Sequence, residues 1–119
     1  MSDITRIDSN QRMSRVVIHN GVVHLAGLTA SNTSGNVAEQ TREVLEKIDH
    51  FLAKAGTDKS RLLTAQIWLR DLDRDFESMN EVWSAWADPA NMPTRATCEA
   101  RLATPEILVE IIVSAAARG

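Results

Sequence analysis

The sequence predicts an α+β fold, a single domain in which a mixed β-sheet carries two helices packed on one face. Three observations lead there. Apolar residues alternate with period two in some stretches and recur at helical spacing in two others, in the order strands, helix, strand, helix, strands. Asn20-Gly21 lies between two β-branched runs, the strongest short-range hairpin signal, because both turn positions favour φ > 0. The final run, Ile107 to Ala116, has apolar residues on both of its faces.

The elements follow in chain order. A short strand fits near Thr5–Ile7, and Arg15–Gly27 forms the hairpin around Asn20-Gly21. Gly27 and Gly35 bracket a polar loop through Ser31, Asn32, Thr33 and Ser34. A helix then runs from about Val37 to Ala55, with Thr41, Val44, Leu45, Ile48, Leu52 and Ala55 on one stripe. Gly56 stands where a left-handed C-terminal cap belongs. Leu62 to Arg70 alternates Leu63, Ala65, Ile67 and Leu69 against Thr64, Gln66, Trp68 and Arg70, as a strand does. Asp73 or Asp75 can cap a second helix carrying Phe76, Met79, Val82, Trp83 and Trp86, which Asp88-Pro89 ends. Two strands close the chain, about Thr94–Arg101 and Ile107–Ala116, joined by a turn at Ala103-Thr104-Pro105.

Bulk properties narrow the function classes. At 119 residues the chain makes one domain with a real core. A net charge of -3 argues against a nucleic-acid surface, which normally concentrates basic residues on one face. A single cysteine, Cys98, rules out an internal disulfide and fits a reducing compartment. No run has the length of a signal-peptide core or a membrane span, so the expected location is the cytoplasm, away from membranes.

Chemistry concentrates near the C-terminus. Glu110 interrupts Ile107-Leu108-Val109-Glu110-Ile111-Ile112-Val113, and a carboxylate inside an apolar strand is costly unless it meets a partner, a cleft or water. Arg95 opens the strand that follows Pro93-Thr94, at a spacing compatible with a strand neighbouring that of Glu110. Two readings stand side by side. The pair is an ion pair, within the chain or across an interface, or it is a site in which the guanidinium fork binds a substrate carboxylate while Glu110 handles protons. Asn80 reads first as a surface or capping amide, and the three tryptophans as core and interface anchors. Cys98 alternates opposite Arg95 and Thr97 and is expected to point into the core. His19, His24 and His50 lack ligand spacing and companion cysteines, and the five glycines form no phosphate loop, so neither metal nor organic cofactor is expected. Because two helices cover only one face of a sheet, the apolar second face of the last strand predicts an oligomer.

The hairpin ending in Ala26-Gly27, the Gln40-Thr41…Val44-Leu45…Ile48 helix, the Asp75-Phe76…Met79-Asn80…Trp83 helix, and Pro93-Thr94-Arg95 with Glu110 together resemble the RidA/YjgF family of reactive-intermediate deaminases, also labelled L-PSP endoribonucleases. Val16-Val17-Ile18-His19-Asn20 and Ala85-Trp86 are most similar to the short YoaB branch of the RutC-like proteins. The resemblance covers nearly the whole chain. It implies a chorismate-mutase-like fold and a homotrimer with clefts between subunits. It also implies cofactor-free hydrolysis of small carboxylate-bearing imines and enamines, such as those from 2-aminoacrylate, to 2-keto acids and ammonia. It assigns Arg95 to the substrate carboxylate, Glu110 to water activation, Gly27 to the loop beside the cleft, and Asn80 to a helix asparagine common in the family. Thr97, on the substrate-binding side, stands where many relatives have cysteine, and Arg12-Met13-Ser14 replaces a tyrosine-bearing segment that shapes the pocket. The rival readings are a non-enzymatic trimer that binds small carboxylates and an RNA-cleaving protein. The acidic balance and the absence of a basic-aromatic stripe weigh against the latter.

Overall fold

A computed structural model describes residues 3–118, and in it one six-stranded sheet carries both helices on the same side. The strands are β1 (Thr5–Ser9), β2 (Ser14–His19), β3 (Val22–Leu25), β4 (Leu62–Leu69), β5 (Thr94–Glu99) and β6 (Val109–Ala116). They lie in the order β1-β2-β3-β6-β4-β5, antiparallel throughout except for the parallel β4–β5 pair. The helices are α1 (Val37–Lys54) and α2 (Leu72–Trp86), and a short 3-10 turn spans Lys59–Arg61. Among the described residues no helix is long and apolar enough to cross a membrane.

Local chemistry explains the boundaries. Asn20 and Gly21 both adopt positive φ, 49° and 78°, closing the β2–β3 hairpin as the Asn-Gly pair predicts. Asn36 and Glu39 form a reciprocal capping box at the start of α1, and Gly56, at φ 79°, follows its end. The cap of α2 differs from expectation. Asp71, not Asp73 or Asp75, is its N-cap and accepts from the Arg74 amide at 3.0 Å. Asp73 lies in the first turn, while the Asp75 carboxylate is buried against the Arg74 guanidinium, with bonds of 2.9 and 2.8 Å.

The core is the layer between helices and sheet. Val16, Val23, Ala65, Ile67, Leu69, Val109, Ile111 and Val113 face Val44, Leu45, Ile48, Leu52, Met79 and Trp83. Antiparallel partners share a face, so the register puts Glu110, Ile112 and Ser114 of β6, with Trp68, Gln66 and Thr64 of β4, on the opposite, uncovered side. The last strand is thus apolar on its helix side, while its open face sets Ile112 between Glu110 and Ser114.

Two expectations about the C-terminal strands are corrected. The strands of Arg95 and Glu110 are not neighbours, because β4 lies between them, parallel to β5 and antiparallel to β6. Cys98 does not point into the core. It is exposed on the open face in register with Trp68, while Arg95, Thr97 and Glu99 share the helix-side face with Ala65, Ile67 and Leu69. β5 is an edge strand over which the helix layer barely extends, and five of its six residues are exposed whichever way they point.

Candidate functional site

The apolar strand β6 places Glu110 next to Trp68 in the β4 register, with Ile112 two residues along on the same face. Across the β3 end, Leu28 and Ile111 exchange backbone hydrogen bonds of 3.0 and 3.1 Å, which bring Gly27 against Glu110. A Cβ at position 27 would stand 2.2 Å from Glu110 Oε2, so any larger residue there would make the end of that side chain swing aside. Among the described residues the Glu110 carboxylate forms neither an ion pair nor a hydrogen bond, and partial burial pushes its pKa up from the ordinary carboxylate range. A carboxylate that shares no proton and is partly desolvated is suited to accept one.

Arg95 occupies the other side of the sheet. Its guanidinium lies 5.7 Å from the centroid of the Trp83 ring, on α2, in a cation–π contact. It too forms no ion pair or hydrogen bond among the described residues, and partial burial lowers its pKa without removing its charge. The stacked fork is therefore held at its root and free at its donors.

Thr97 and Asn80 lie beside it. Helix α2 runs back along β5: the Leu72 amide donates to Glu99 Oε1 at 3.1 Å at one end, and Trp83 meets Arg95 at the other. Thr97 shares a groove of about 510 Å³ with Leu72, Phe76 and Glu77 in between. Asn80, one turn beyond Phe76 and one turn before Trp83, falls on the same row. The Thr97 hydroxyl and the Asn80 side-chain oxygen are both buried without a hydrogen-bond partner. Asn80 is therefore neither a cap nor a solvated surface amide. Buried oxygens without partners are costly, and a ligand donor would relieve them.

The chain thus brings Gly27 to Glu110 and sets Thr97, with the α2 row of Phe76, Asn80 and Trp83, on the side of Arg95, but it does not bring the two groups together. An intrachain ion pair between Arg95 and Glu110 is excluded by the register, since their side chains leave opposite faces of the sheet. Sequence reasoning passed over Trp68 as a neighbour of Glu110, and Gln40. The signal for Gln40 was its phase: it repeats with Val37 and Val44 on the stripe that packs inward, where an amide is costly without partners.

Comparison with known proteins places these residues in a wider context. Residues 3–117 match the family model described as Endoribonuclease L-PSP. The RutC family protein YoaB of Escherichia coli K12 is 42% identical over 113 residues, covering 95% of this chain and 97% of that one. The 3-aminoacrylate deaminase RutC of Acinetobacter baylyi is 34% identical over 93 residues, 78% of this chain and 65% of that protein. The crystal structure of a YjgF-family protein from Neisseria meningitidis superposes with a TM-score of 0.94 at 44% identity, covering 98% of this chain and 97% of that one.

Proposed function

The chain belongs to the endoribonuclease L-PSP family, among the YjgF and RutC proteins, and from that premise we propose that it is a cofactor-independent enamine/imine deaminase working in clefts between the subunits of a homotrimer. One observation carries the reading. A free guanidinium fork and a free, partly desolvated carboxylate sit on opposite faces of one sheet, so a second copy is needed to set them across a common cleft. The open face, with Ile112 and Trp68 beside Glu110, is the surface a second copy would cover. A relative that is 34% identical over 93 residues is named a deaminase of 3-aminoacrylate, a small carboxylate-bearing enamine.

The chemistry needs little more than these parts. The Arg95 fork binds the substrate carboxylate through two parallel hydrogen bonds. Thr97 and Asn80 oxygens accept from donors on the bound molecule. An enamine first takes a proton from solvent on carbon to become the protonated imine. Glu110 then removes a proton from a water as its oxygen attacks the imine carbon, giving a carbinolamine. The same carboxyl returns that proton to nitrogen and then takes the proton of the new hydroxyl as the carbon–nitrogen bond breaks, so ammonia departs, a 2-keto acid remains, and Glu110 gives its proton to solvent. Imines hydrolyse in water unaided, so orientation and one proton handler suffice.

Ammonia release from imino acids generated in situ tests the reading, with Arg95→Lys as the decisive variant. Lysine keeps the charge and loses the fork, so fold and assembly should persist while turnover falls by roughly 2–4 kcal/mol of transition-state binding. Keto acids should also cease to raise the melting temperature. A trimer that binds keto acids through Arg95 but releases no ammonia from any imine would instead be a carboxylate-binding protein. Full activity in Arg95→Lys would sink the clamp.

A further inference from the structure

We infer that Gln40 is the positioning residue of the Glu110 site, the one side chain among the described residues whose hydrogen bonds tie both segments lining the carboxylate to helix α1. This rests on Glu110 acting as proposed above. Gln40 is buried, and it uses both ends of its amide. Its Nε2 donates to Glu106 O at 2.9 Å and to Gly35 O at 3.2 Å, with Thr33 O at 3.5 Å. Its Oε1 accepts from the Leu108 amide at 3.0 Å. One residue thus bonds the far end of the loop that starts at Gly27 and the segment that enters β6 two residues before Glu110.

The surroundings show why this link matters. Arg70 holds the outer side of the same segment, donating to Leu102, Thr104 and Ile107 carbonyls at 3.0, 2.7 and 3.1 Å. Glu43 and Lys47 of α1 hold the middle of the loop, the former through the Ser31 and Asn32 amides and the latter through Thr29 O. The Leu28–Ile111 bridge joins loop to strand at the near end. Among the described residues, Gln40 alone has a side chain that hydrogen-bonds both loop and strand entrance. The Gly27 backbone lies so close to Glu110 that an added Cβ would displace the carboxylate, so a shift between these two segments changes where the carboxylate can sit. Burying an amide in an inward stripe is otherwise unfavourable, and four polar contacts explain why it is kept.

The test compares Gln40→Glu and Gln40→Leu with Thr57→Val. Thr57 is also buried and ties the other end of β6, donating to Ala116 O at 2.8 Å, so its variant reports on general loosening of that strand. Gln40→Glu keeps the shape and the acceptor but loses the donor, which guards against the leucine variant failing to fold. For Gln40→Glu we expect kcat for imine hydrolysis to fall about 10- to 100-fold, the scale of an ångström-sized misplacement. KM and keto-acid binding, which report on Arg95, should stay within about twofold. Thr57→Val should lower the melting temperature and leave kcat alone. Amide exchange at Leu108 and Ile111 should quicken in the Gln40 variants only. Wild-type kcat in Gln40→Glu overturns the inference while leaving the deaminase standing, and so does an equal loss of kcat in Thr57→Val. A wild-type protein that hydrolyses no imine overturns the deaminase itself. Unchanged Leu108 and Ile111 exchange in Gln40→Glu would then refute the structural link as well.

Discussion

The two faces of this sheet are made from the same strands and put to different uses. On the helix side, Val23, Ile67, Leu69, Val109 and Ile111 are sealed against α1 and α2, and burial of that apolar surface holds the fold together. On the open side, the alternate residues of β4 and β6 are Thr64, Gln66, Trp68, Glu110, Ile112 and Ser114, neither a core nor an ordinary solvated surface. Period-two alternation lets one strand serve both ends, because each residue answers only to its own face. The face that does not stabilise the chain is free to carry an unpaired carboxylate.

The largest test of that division pairs Ile67→Ala with Ile112→Ala. Ile67 is fully buried within the chain, and truncating it should cost about 2–5 kcal/mol of unfolding free energy in a denaturant titration. Ile112 is partly exposed in the isolated chain. Its truncation should leave the chain folded and move trimer dissociation to higher protein concentration, as light scattering over a dilution series would show. Equal unfolding costs with no change in assembly would mean that no second copy covers the open face.

Glu110→Gln sharpens the contrast next. The amide is nearly isosteric, so folding and assembly should persist, whereas imine hydrolysis should fall on the order of 10²-fold, the usual scale for losing an acid/base group. Ammonia release per folded trimer reads this directly. Unchanged activity would return Glu110 to a purely structural role.

Much of this arrangement was legible in the sequence because it is local. The Asn20-Gly21 turn, the start of α1 near Val37, the Gly56 stop and the apolar helix-side face of β6 depend on neighbours a few residues away. What escaped was non-local. Three aspartates at 71, 73 and 75 are equivalent caps by propensity, and Asp71 takes the role where the Leu72 amide also meets Glu99 of a distant strand. The insertion of β4 between β5 and β6 follows from strand pairing, which composition does not encode. Cys98 was misread for a related reason: alternation reports burial only where a second layer lies overhead, and β5 is an overhanging edge. Arg95 and Glu110 were expected on neighbouring strands because composition does not encode that pairing, and β4 lies between them.

The smallest expected effect separates the last two roles left to Glu110, proton handler or interface ion pair. Desolvation raises its pKa in the folded chain above that of the unfolded chain. In the window from the ordinary glutamate value up to the raised one, the folded state binds the proton more tightly than the unfolded state, so stability falls as pH rises through it. Above the window the ionised carboxylate is a constant liability, and below it there is none. Glutamine carries no charge at any pH. Glu110→Gln should therefore melt slightly higher than wild type at about pH 8 and match it at about pH 4, outside the window on either side. The carboxylate is still partly solvated, which screens the penalty, so the rise should be smaller than the roughly 4 °C that 1 kcal/mol produces in a domain of this size. An ion pair with Arg95 of a neighbouring copy would reverse the sign. The attraction would then lower the Glu110 pKa in the assembled protein, and the glutamine variant would melt lower near neutrality and recover only in acid. Melting curves for both proteins at the two pH values decide between a carboxylate waiting for a proton and one already engaged.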